Sequence, residues 1–196
     1  MPAKSAFSIV GLAHKVCLVA EGQGYTPELM NALAERPDLF KQLLQVQLGN
    51  AEIRIVDHVV DCDVDPMIPD GWKIEDHQKG GQWKWDPAKV NLFLSDPQKE
   101  GKTIRGTELR KQLQGQPVLN ACVLDYLLAH PYLIPEDWKQ DDKGRTRYTF
   151  FWGTIYRHSN GNLGVRYLYW DGGRWDWSCR WLDDGWDGQD PAALRA

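Results

Sequence analysis

Hydrophobic and polar side chains alternate along the last third of the chain, in three runs at residues 148–157, 163–170 and 175–182. Turn-forming sequences separate the runs, Asn160-Gly161 in the first gap and Asp171-Gly172 in the second. Such dipeptides tolerate the positive φ angles that tight turns between twisted strands require. The pattern therefore predicts a tryptophan-rich antiparallel β-meander.

The first fifty residues show a different pattern. Residues 7–19 mix isoleucine and valine with glycine, which predicts a strand, although the periodicity also allows a short helix. Thr26 and Pro27 are typical of the start of a helix. Asp38 is a candidate cap for a second helix, which Gly49 would end. This segment is therefore predicted to contain a helical hairpin or one kinked helix.

Short strands are predicted in the middle of the chain. Residues 51–64 are rich in β-branched side chains, which favour strands. Residues 72–77 and 82–85 flank a glycine pair and predict a hairpin. Residues 90–94 predict one further strand before a proline.

Two more helices are predicted between residues 106 and 130. Thr107 is a candidate cap for the first, and Asn120 for the second. The second helix carries an apolar stripe and ends at His130-Pro131, after which a short turn packs Trp138 beside it. The stripe consists of Val123, Leu124, Leu127 and Leu128.

Together these elements predict an α+β protein, with N-terminal helices, a mixed central segment and the C-terminal meander. We expect an N-terminal helical segment at residues 1–50 and an α+β body at residues 51–196, or one domain that includes both. The length of 196 residues is sufficient for a hydrophobic core without disulfide bonds.

Composition and charge restrict the function only broadly. The chain is 42% hydrophobic and 26% charged, as is usual for a folded protein. A net charge of −4 gives no general attraction to nucleic acid. No run reaches the roughly 20 apolar residues of a membrane span. The four cysteines lie far apart and no export signal is recognised, so the expected location is the cytoplasm.

The meander supplies the candidate binding residues. Period-2 alternation places Trp175, Trp177 and Trp181 on one face of the last strand and Arg180 on the other. Arginine stacks on aromatic rings and binds carboxylates, so this combination predicts a surface for a protein partner or a small ring-bearing ligand. The alternative is that the tryptophans fill the core. The predicted ligand-binding residues are Trp170, Arg174, Trp175, Trp177, Arg180 and Trp181.

Three stretches of this sequence are similar to a family of bacterial hypothetical proteins with a tryptophan-rich C-terminal region. They are PVLNACVLDYLLAHP at residues 117–131, FFWGTIYR at residues 150–157 and VRYLYWDGGRW at residues 165–175. The resemblance spans roughly residues 60–196. It implies a bacterial cytosolic setting, and it carries over no activity and no catalytic residues.

Two acidic clusters are weighed as metal sites, because closely spaced carboxylates can hold a divalent cation. One contains Asp61, Asp63 and Asp65, and the other contains Asp183, Asp184 and Asp187. The competing interpretations are an exposed strand edge for the first and a turn-rich tail for the second. We favour these interpretations and predict no bound metal or cofactor.

The leading hypothesis is thus a non-enzymatic binding module. One alternative is an enzyme with a dispersed acid/base site that uses Asp61, Asp63 or His77. Another is a nucleic-acid accessory protein that uses residues 73–111, where basic residues outnumber acidic ones and Trp83 and Trp85 are interleaved. The competing interpretation of that tract is a solvated surface, and we disfavour the nucleic-acid hypothesis.

Overall fold

The structure is a computed structural model that describes residues 9–22, 26–52 and 56–196. The chain forms two compact units, Met1–Val56 and Asp57–Ala196. None of the helices in the described ranges has both the length and the apolar character that a membrane span requires.

Within its described residues, the first unit contains three helices, α1 (Ile9–Gly22), α2 (Pro27–Ala34) and α3 (Pro37–Gln47). The strand predicted at residues 7–19 is therefore wrong from Ile9 onward, and residues 7 and 8 lie outside the described ranges. A helix satisfies its backbone hydrogen bonds within the segment, whereas a strand needs a neighbour, so this long apolar run is stable as a helix.

The second predicted helix of this unit differs in its cap. Arg36, not Asp38, is the N-cap residue of α3, and Asp38 lies in the first turn, where its carboxylate accepts a hydrogen bond from the Arg36 guanidinium at 3.1 Å. The predicted end of the helix is confirmed. Gly49 follows it with a φ of +75°, a conformation that favours glycine.

The second unit contains eleven strands, three helices and three short 3₁₀ turns. The strands are β1 (Val59–Asp61), β2 (Trp72–His77), β3 (Gln82–Lys84), β4 (Val90–Phe93), β5 (Ile104–Arg105), β6 (Thr149–Phe150), β7 (Thr154–His158), β8 (Leu163–Trp170), β9 (Trp175–Trp181), β10 (Gly185–Trp186) and β11 (Ala192–Arg195). The helices are α4 (Asp96–Lys99), α5 (Gly106–Gln112) and α6 (Ala121–Ala129), and the 3₁₀ turns are Pro87–Lys89, Pro131–Leu133 and Glu136–Trp138.

Strand β8 is the centre of the main, seven-stranded sheet. It pairs antiparallel with β9 on one side and with β6 and β7 on the other, so the predicted meander is confirmed. Beyond these strands, β2 pairs with β7, and β11 joins β6 to β4. The contact between β11 and β6 is parallel and all the others are antiparallel, so the fold is α+β.

The hairpin predicted from residues 72–77 and 82–85 is wrong, although both strands exist. β2 pairs with β7, and β3 pairs with β1. The chain separates at Gln78, whose amide donates to the Gly153 carbonyl at 2.7 Å and whose carbonyl accepts from the Asn120 side chain at 3.0 Å. These contacts with distant segments replace the ones that a hairpin turn would make.

The predicted strands nearby are found in shorter form. Within residues 51–64, β1 at Val59–Asp61 is the strand among the described residues, and residues 53–55 lie outside them. The strand predicted at residues 90–94 is confirmed as β4.

The main sheet has a hydrophobic core on each face. On one face, which we call the α6 side, Leu168 and Phe151 pack with Val123, Leu124 and other apolar residues of α6. On the other, the α5 side, Phe150, Val165 and Trp186 pack with Leu109 of α5 and with Leu113. The apolar stripe predicted for α6 is thus confirmed as core, as is the burial of Trp138.

The start of α6 is fixed by residues in or next to β1, β2 and β7. Asn120 occupies the predicted N-cap position, but its side chain donates to the carbonyls of Cys62 and Gln78 at 2.8 and 3.0 Å. The Thr154 hydroxyl accepts from the Ala121 amide instead, at 3.0 Å. A Cβ atom at Gly153 would lie 2.9 Å from the Asn120 backbone nitrogen, so only glycine allows this approach.

Candidate functional site

The six predicted binding residues do not form one surface. Trp177 pairs across the strands with Leu168 and Trp170 with Trp175, which places these tryptophans, with Trp181, on the α6 side. We call Trp170, Trp175, Trp177 and Trp181 the tryptophan face. Arg180 lies on the α5 side, and Arg174 lies in the turn before β9 and is exposed.

The middle of the tryptophan face belongs to the core. Trp175 and Trp177 are half-buried and pack against the core of the α6 side. The Arg166 guanidinium lies 4.3 Å from the centre of the Trp177 ring and is fully buried. It forms an ion pair with Asp125 of α6 at 2.8 Å. The guanidinium thus joins the sheet to the helix and is not available at the surface.

The same buried arginine anchors a loop before β2. Arg166 Nη1 and the Tyr156 hydroxyl both donate to the Met67 carbonyl, at 3.3 and 3.1 Å. The Met67 amide donates to Asp125 at 2.8 Å. Burial raises the pKa of Tyr156 to about 12, against the lowering effect of Arg166, so the phenol remains a neutral donor near pH 7. These contacts are structural.

An aromatic pair lies at one end of the tryptophan face. Trp72 of β2 crosses β7 and stacks on Trp181 with ring centres 4.8 Å apart and planes 18° apart. The ring passes over Gly164, where a Cβ atom would lie 2.7 Å from it. His158 meets both rings edge-on, at 5.0 and 5.4 Å. The facing sides of the two tryptophans are therefore already occupied by each other.

At the opposite end, Trp170 contacts Trp175 edge-on at 5.4 Å, and the Lys139 ammonium lies 3.9 Å from the Trp170 ring centre. This is a cation–π contact at a partly exposed site. Lys139 also pairs with Glu136 at 2.7 Å, so the end of the face is aromatic and its cation already has an acidic partner.

The two predicted arginines already have partners. Arg180 forms an ion pair with Asp190, and its guanidinium lies 5.6 to 5.9 Å from the ring centres of Tyr148, Phe150, Tyr167 and Trp186. Asp190 is buried, and desolvation raises its pKa although Arg180 lowers it. Arg174 pairs with Asp176 at 3.1 Å. Arg180 therefore has a structural role, whereas Arg174 lies in solvent.

Strand β9 has a free edge. Among the described strands it pairs with β8 alone, and all seven of its residues are half-buried. The Leu182 amide donates to Leu163, so the even-numbered residues direct their backbone groups to β8 and the odd-numbered ones direct theirs outward. The outward amide of Trp177 donates to the Asp176 carboxylate at 2.8 Å. One side chain thus shields part of the edge.

The acid/base candidates are held in structural contacts. His77 Nδ1 lies 2.9 Å from the Thr154 hydroxyl, and its Nε2 lies 3.3 Å from the Cys62 carbonyl. Cys122 Sγ lies 3.9 Å from the same Nε2, but desolvation raises the pKa of that thiol to about 12. A nucleophilic cysteine needs the opposite shift. The pair of His77 and Cys122 therefore does not have the electrostatics of an activated thiol.

The acidic clusters form turns. Asp61 accepts from the Asp63 amide at 3.0 Å, Asp63 accepts from the Gly81 amide at 2.8 Å, and Asp187 accepts from the Gln189 amide at 2.8 Å. Within the part of the chain that the structure describes, no three His, Cys, Asp or Glu side chains come together to hold a metal ion.

The basic tract at residues 73–111 does not form one positive surface. Five of its cations pair with acids, and exposed pairs of this kind leave little net field. The pairs are Lys84 with Asp57, Lys89 with Asp86, Lys99 with Asp96, Lys102 with Glu100, and Arg110 with Asp76. Trp85 is buried, so the aromatic part of the predicted nucleic-acid surface is also incomplete.

A cleft beside α5 was not predicted from the sequence. It has a volume of about 400 Å³ and lies on the α5 side of the sheet. Its floor is apolar and includes Leu113, Val118, Trp152, Ile155 and Leu182, and its rim includes Asp76, Arg110 and Lys111. These residues come from α5, β2 and β7 and from the segments that follow α5, β6 and β9, so no local motif marks the cleft. We call it the α5 cleft.

No protein-family model, curated protein or solved structure matches the chain.

Proposed function

We propose that the chain is a non-enzymatic binding module that engages a protein partner along the free edge of β9. The observation that carries the proposal is the outward backbone of an edge strand whose side chains are all half-buried. Such an edge can accept an extended segment as an additional strand.

The tryptophan face defines the chemistry of this partner. A strand added beside β9 would place alternate side chains next to Trp175, Trp177 and Trp181, and cross-strand pairs with aromatic residues favour aromatic or β-branched partners. The expected segment is extended and apolar at every second position. A protein partner is favoured over a small ring-bearing ligand, because Trp72 and Trp181 already stack on each other.

Asp176 regulates access to the edge in this proposal. Its carboxylate accepts from the Trp177 amide and pairs with Arg174, so an incoming strand has to displace it. A shielding charge of this kind limits uncontrolled pairing between edge strands.

A substitution at Cys179 tests the proposal. The backbone amide of this odd-numbered β9 residue points away from β8, toward the free edge. Cys179→Pro removes that donor and leaves the ladder to β8, because proline is tolerated where an edge amide faces away from the sheet. Cys179→Ala is the matched control. With the full chain as bait, we expect the wild type and Cys179→Ala to retain the same partner and Cys179→Pro to lose it.

Equal retention by the two variants, each folded by circular dichroism, would show that partner binding does not use this edge. Retention of no partner by the wild type would contradict the binding module itself.

We further propose a bacterial cytoplasmic setting. Cys17, Cys62, Cys122 and Cys179 are free thiols, which supports a reducing compartment. The bacterial part of this proposal rests on the sequence resemblance of the tryptophan-rich region alone.

A further inference from the structure

The α5 cleft has the dimensions and lining of a small-molecule site. Its volume of about 400 Å³ lies within the usual range for ligand pockets, about 300–1,000 Å³. Five floor residues are no more than 9% exposed, and all five are apolar or aromatic. A ligand that fits here needs a compact apolar body. The α5 cleft lies on the face of the sheet opposite to the tryptophan face.

The rim of the cleft is positively charged on the helix side. Arg110 and Lys111 lie in the last turn of α5. Arg110 pairs with Asp76 at 3.3 Å, and both side chains are substantially exposed, so the pair is weak and can exchange partners. Among the described residues, Lys111 has no acidic partner. A carboxylate at the rim would meet one uncommitted cation and one loosely paired guanidinium.

The floor offers a ring and an unpaired donor. Trp152 is 3% exposed and contacts Trp186 with ring centres 4.7 Å apart. Its indole Nε1 is buried without a hydrogen-bond partner. Buried donors are normally paired, so a ligand whose acceptor or electron-rich ring reached this nitrogen would satisfy it.

We propose that the α5 cleft binds a small aromatic carboxylic acid, with its ring against Trp152 and the apolar floor and its carboxylate between Arg110 and Lys111. The Trp152 ring among the lining residues favours an aromatic ligand, because aromatic rings pack face to face with an offset or edge to face. The cations at the rim favour an acid over an amine.

The probe is 2-naphthoate, with 2-naphthamide as its neutral match and 2-naphthylmethylammonium as its cationic match. Binding to the full chain is followed by calorimetry and by the indole signal of Trp152 in a ¹H–¹⁵N spectrum, assigned with Trp152→Phe. We expect naphthoate to shift that signal and to bind about tenfold more tightly than the amide, as one charge-assisted hydrogen bond implies.

Lys111→Glu reverses a charge at the rim without touching the core. It should weaken naphthoate binding about tenfold or more and change amide binding less than about twofold, because only the acid uses the charge. Lys143→Glu, the same change on the exposed turn after Asp141, is the control and should alter neither.

The proposed ligand class would be overturned if naphthoate and the amide bound equally, or if the amine bound more tightly than naphthoate. It would also be overturned if Lys111→Glu left naphthoate binding unchanged. No shift of the Trp152 signal at millimolar naphthoate would overturn the site. Cys179→Pro should leave naphthoate binding unchanged, so this test and the test of the β9 edge fail independently.

Discussion

At the scale of single residues, Trp177 contributes to the core and also belongs to the tryptophan face. It packs against the core of the α6 side, and the buried Arg166 guanidinium lies over its ring. Trp177→Ala removes that packing and leaves the guanidinium without its aromatic neighbour. For a half-buried tryptophan we expect a loss of about 2–4 kcal/mol in the free energy of unfolding, measured in urea.

Trp170→Ala is the control for this prediction, since Trp170 lies on the same face but contacts Trp175 and Lys139 at the end of the sheet. Trp170→Ala should lower the free energy of unfolding clearly less than Trp177→Ala does. Equal losses for the two variants would mean that the core does not extend to Trp177 in the way its contacts indicate.

The thiol of Cys179 gives a second prediction. Desolvation raises its pKa to about 11, against the lowering effect of Arg166. At pH 8 the thiolate fraction is then about 10⁻³, compared with about a quarter for a thiol of ordinary pKa near 8.5. We expect iodoacetamide to label Cys179 on the order of 100-fold more slowly than an exposed thiol, measured by mass spectrometry.

The denatured chain is the control for this labelling, because all its thiols should react at similar rates. A Cys179 that reacts in the folded protein as fast as the exposed Cys17 would contradict the prediction and indicate that β9 opens frequently.

Sequence patterns predicted the position of single side chains better than their partners. Strand alternation correctly separates Trp177 from Arg180, because side-chain direction depends only on the local backbone. The burial of Arg166 depends on Asp125, which α6 brings across the sheet. No local pattern contains that pairing, so the sequence could not show that this arginine is unavailable for a ligand.

At the scale of secondary-structure elements, Gly164 allows side chains of β2 and β9 to contact each other across β7 and β8. Gly164→Ala would place a Cβ atom 2.7 Å from the Trp72 ring and 3.1 Å from the Arg180 carbonyl. The ring must move, and the stack with Trp181 is lost. We expect a loss of about 1–3 kcal/mol in urea unfolding, with a reduced tryptophan exciton signal in circular dichroism.

Gly173→Ala is the matched control, since nothing lies within 4 Å of a Cβ atom there. It should be neutral or slightly stabilising, by up to about 1 kcal/mol, because alanine restricts the unfolded chain. If Gly164→Ala behaves like Gly173→Ala, the stack between β2 and β9 contributes little to stability.

The elements themselves were predictable where their signals are local. Asn160-Gly161 and Asp171-Gly172 fix the turns of β7, β8 and β9, and the sequence therefore predicted their pairing. The pairing of β2 with β7 instead of β3 depends on Gly153 and Asn120, which bind Gln78 from distant parts of the chain. Long-range pairing of this kind has no signature in a hydrophobic pattern.

At the scale of the whole molecule, the main sheet separates two surfaces with different chemistry. The tryptophan face and the edge of β9 adjoin the core of the α6 side, whereas the α5 cleft adjoins the other core. Because each surface is supported by its own core, variants at one should leave binding at the other unchanged. The α5 cleft was missed because it forms only when distant elements come together.

The two hydrophobic cores also predict which part of the chain folds by itself. Among the residues that the structure describes, the buried members of both cores lie between Val60 and Leu194, and α3 contributes none of them. We therefore expect a fragment of residues 57–196 to unfold cooperatively, with a Tm within about 4 °C of the full chain, since that shift corresponds to about 1 kcal/mol in a domain of this size. Differential scanning calorimetry of the fragment and of the full chain measures the cooperativity of unfolding and the Tm.

A fragment that ends at Trp186 is the control and should fail to fold. It lacks β11, whose Ala192, Ala193 and Leu194 are buried between β4 and β6. A much lower Tm for residues 57–196 would contradict the prediction.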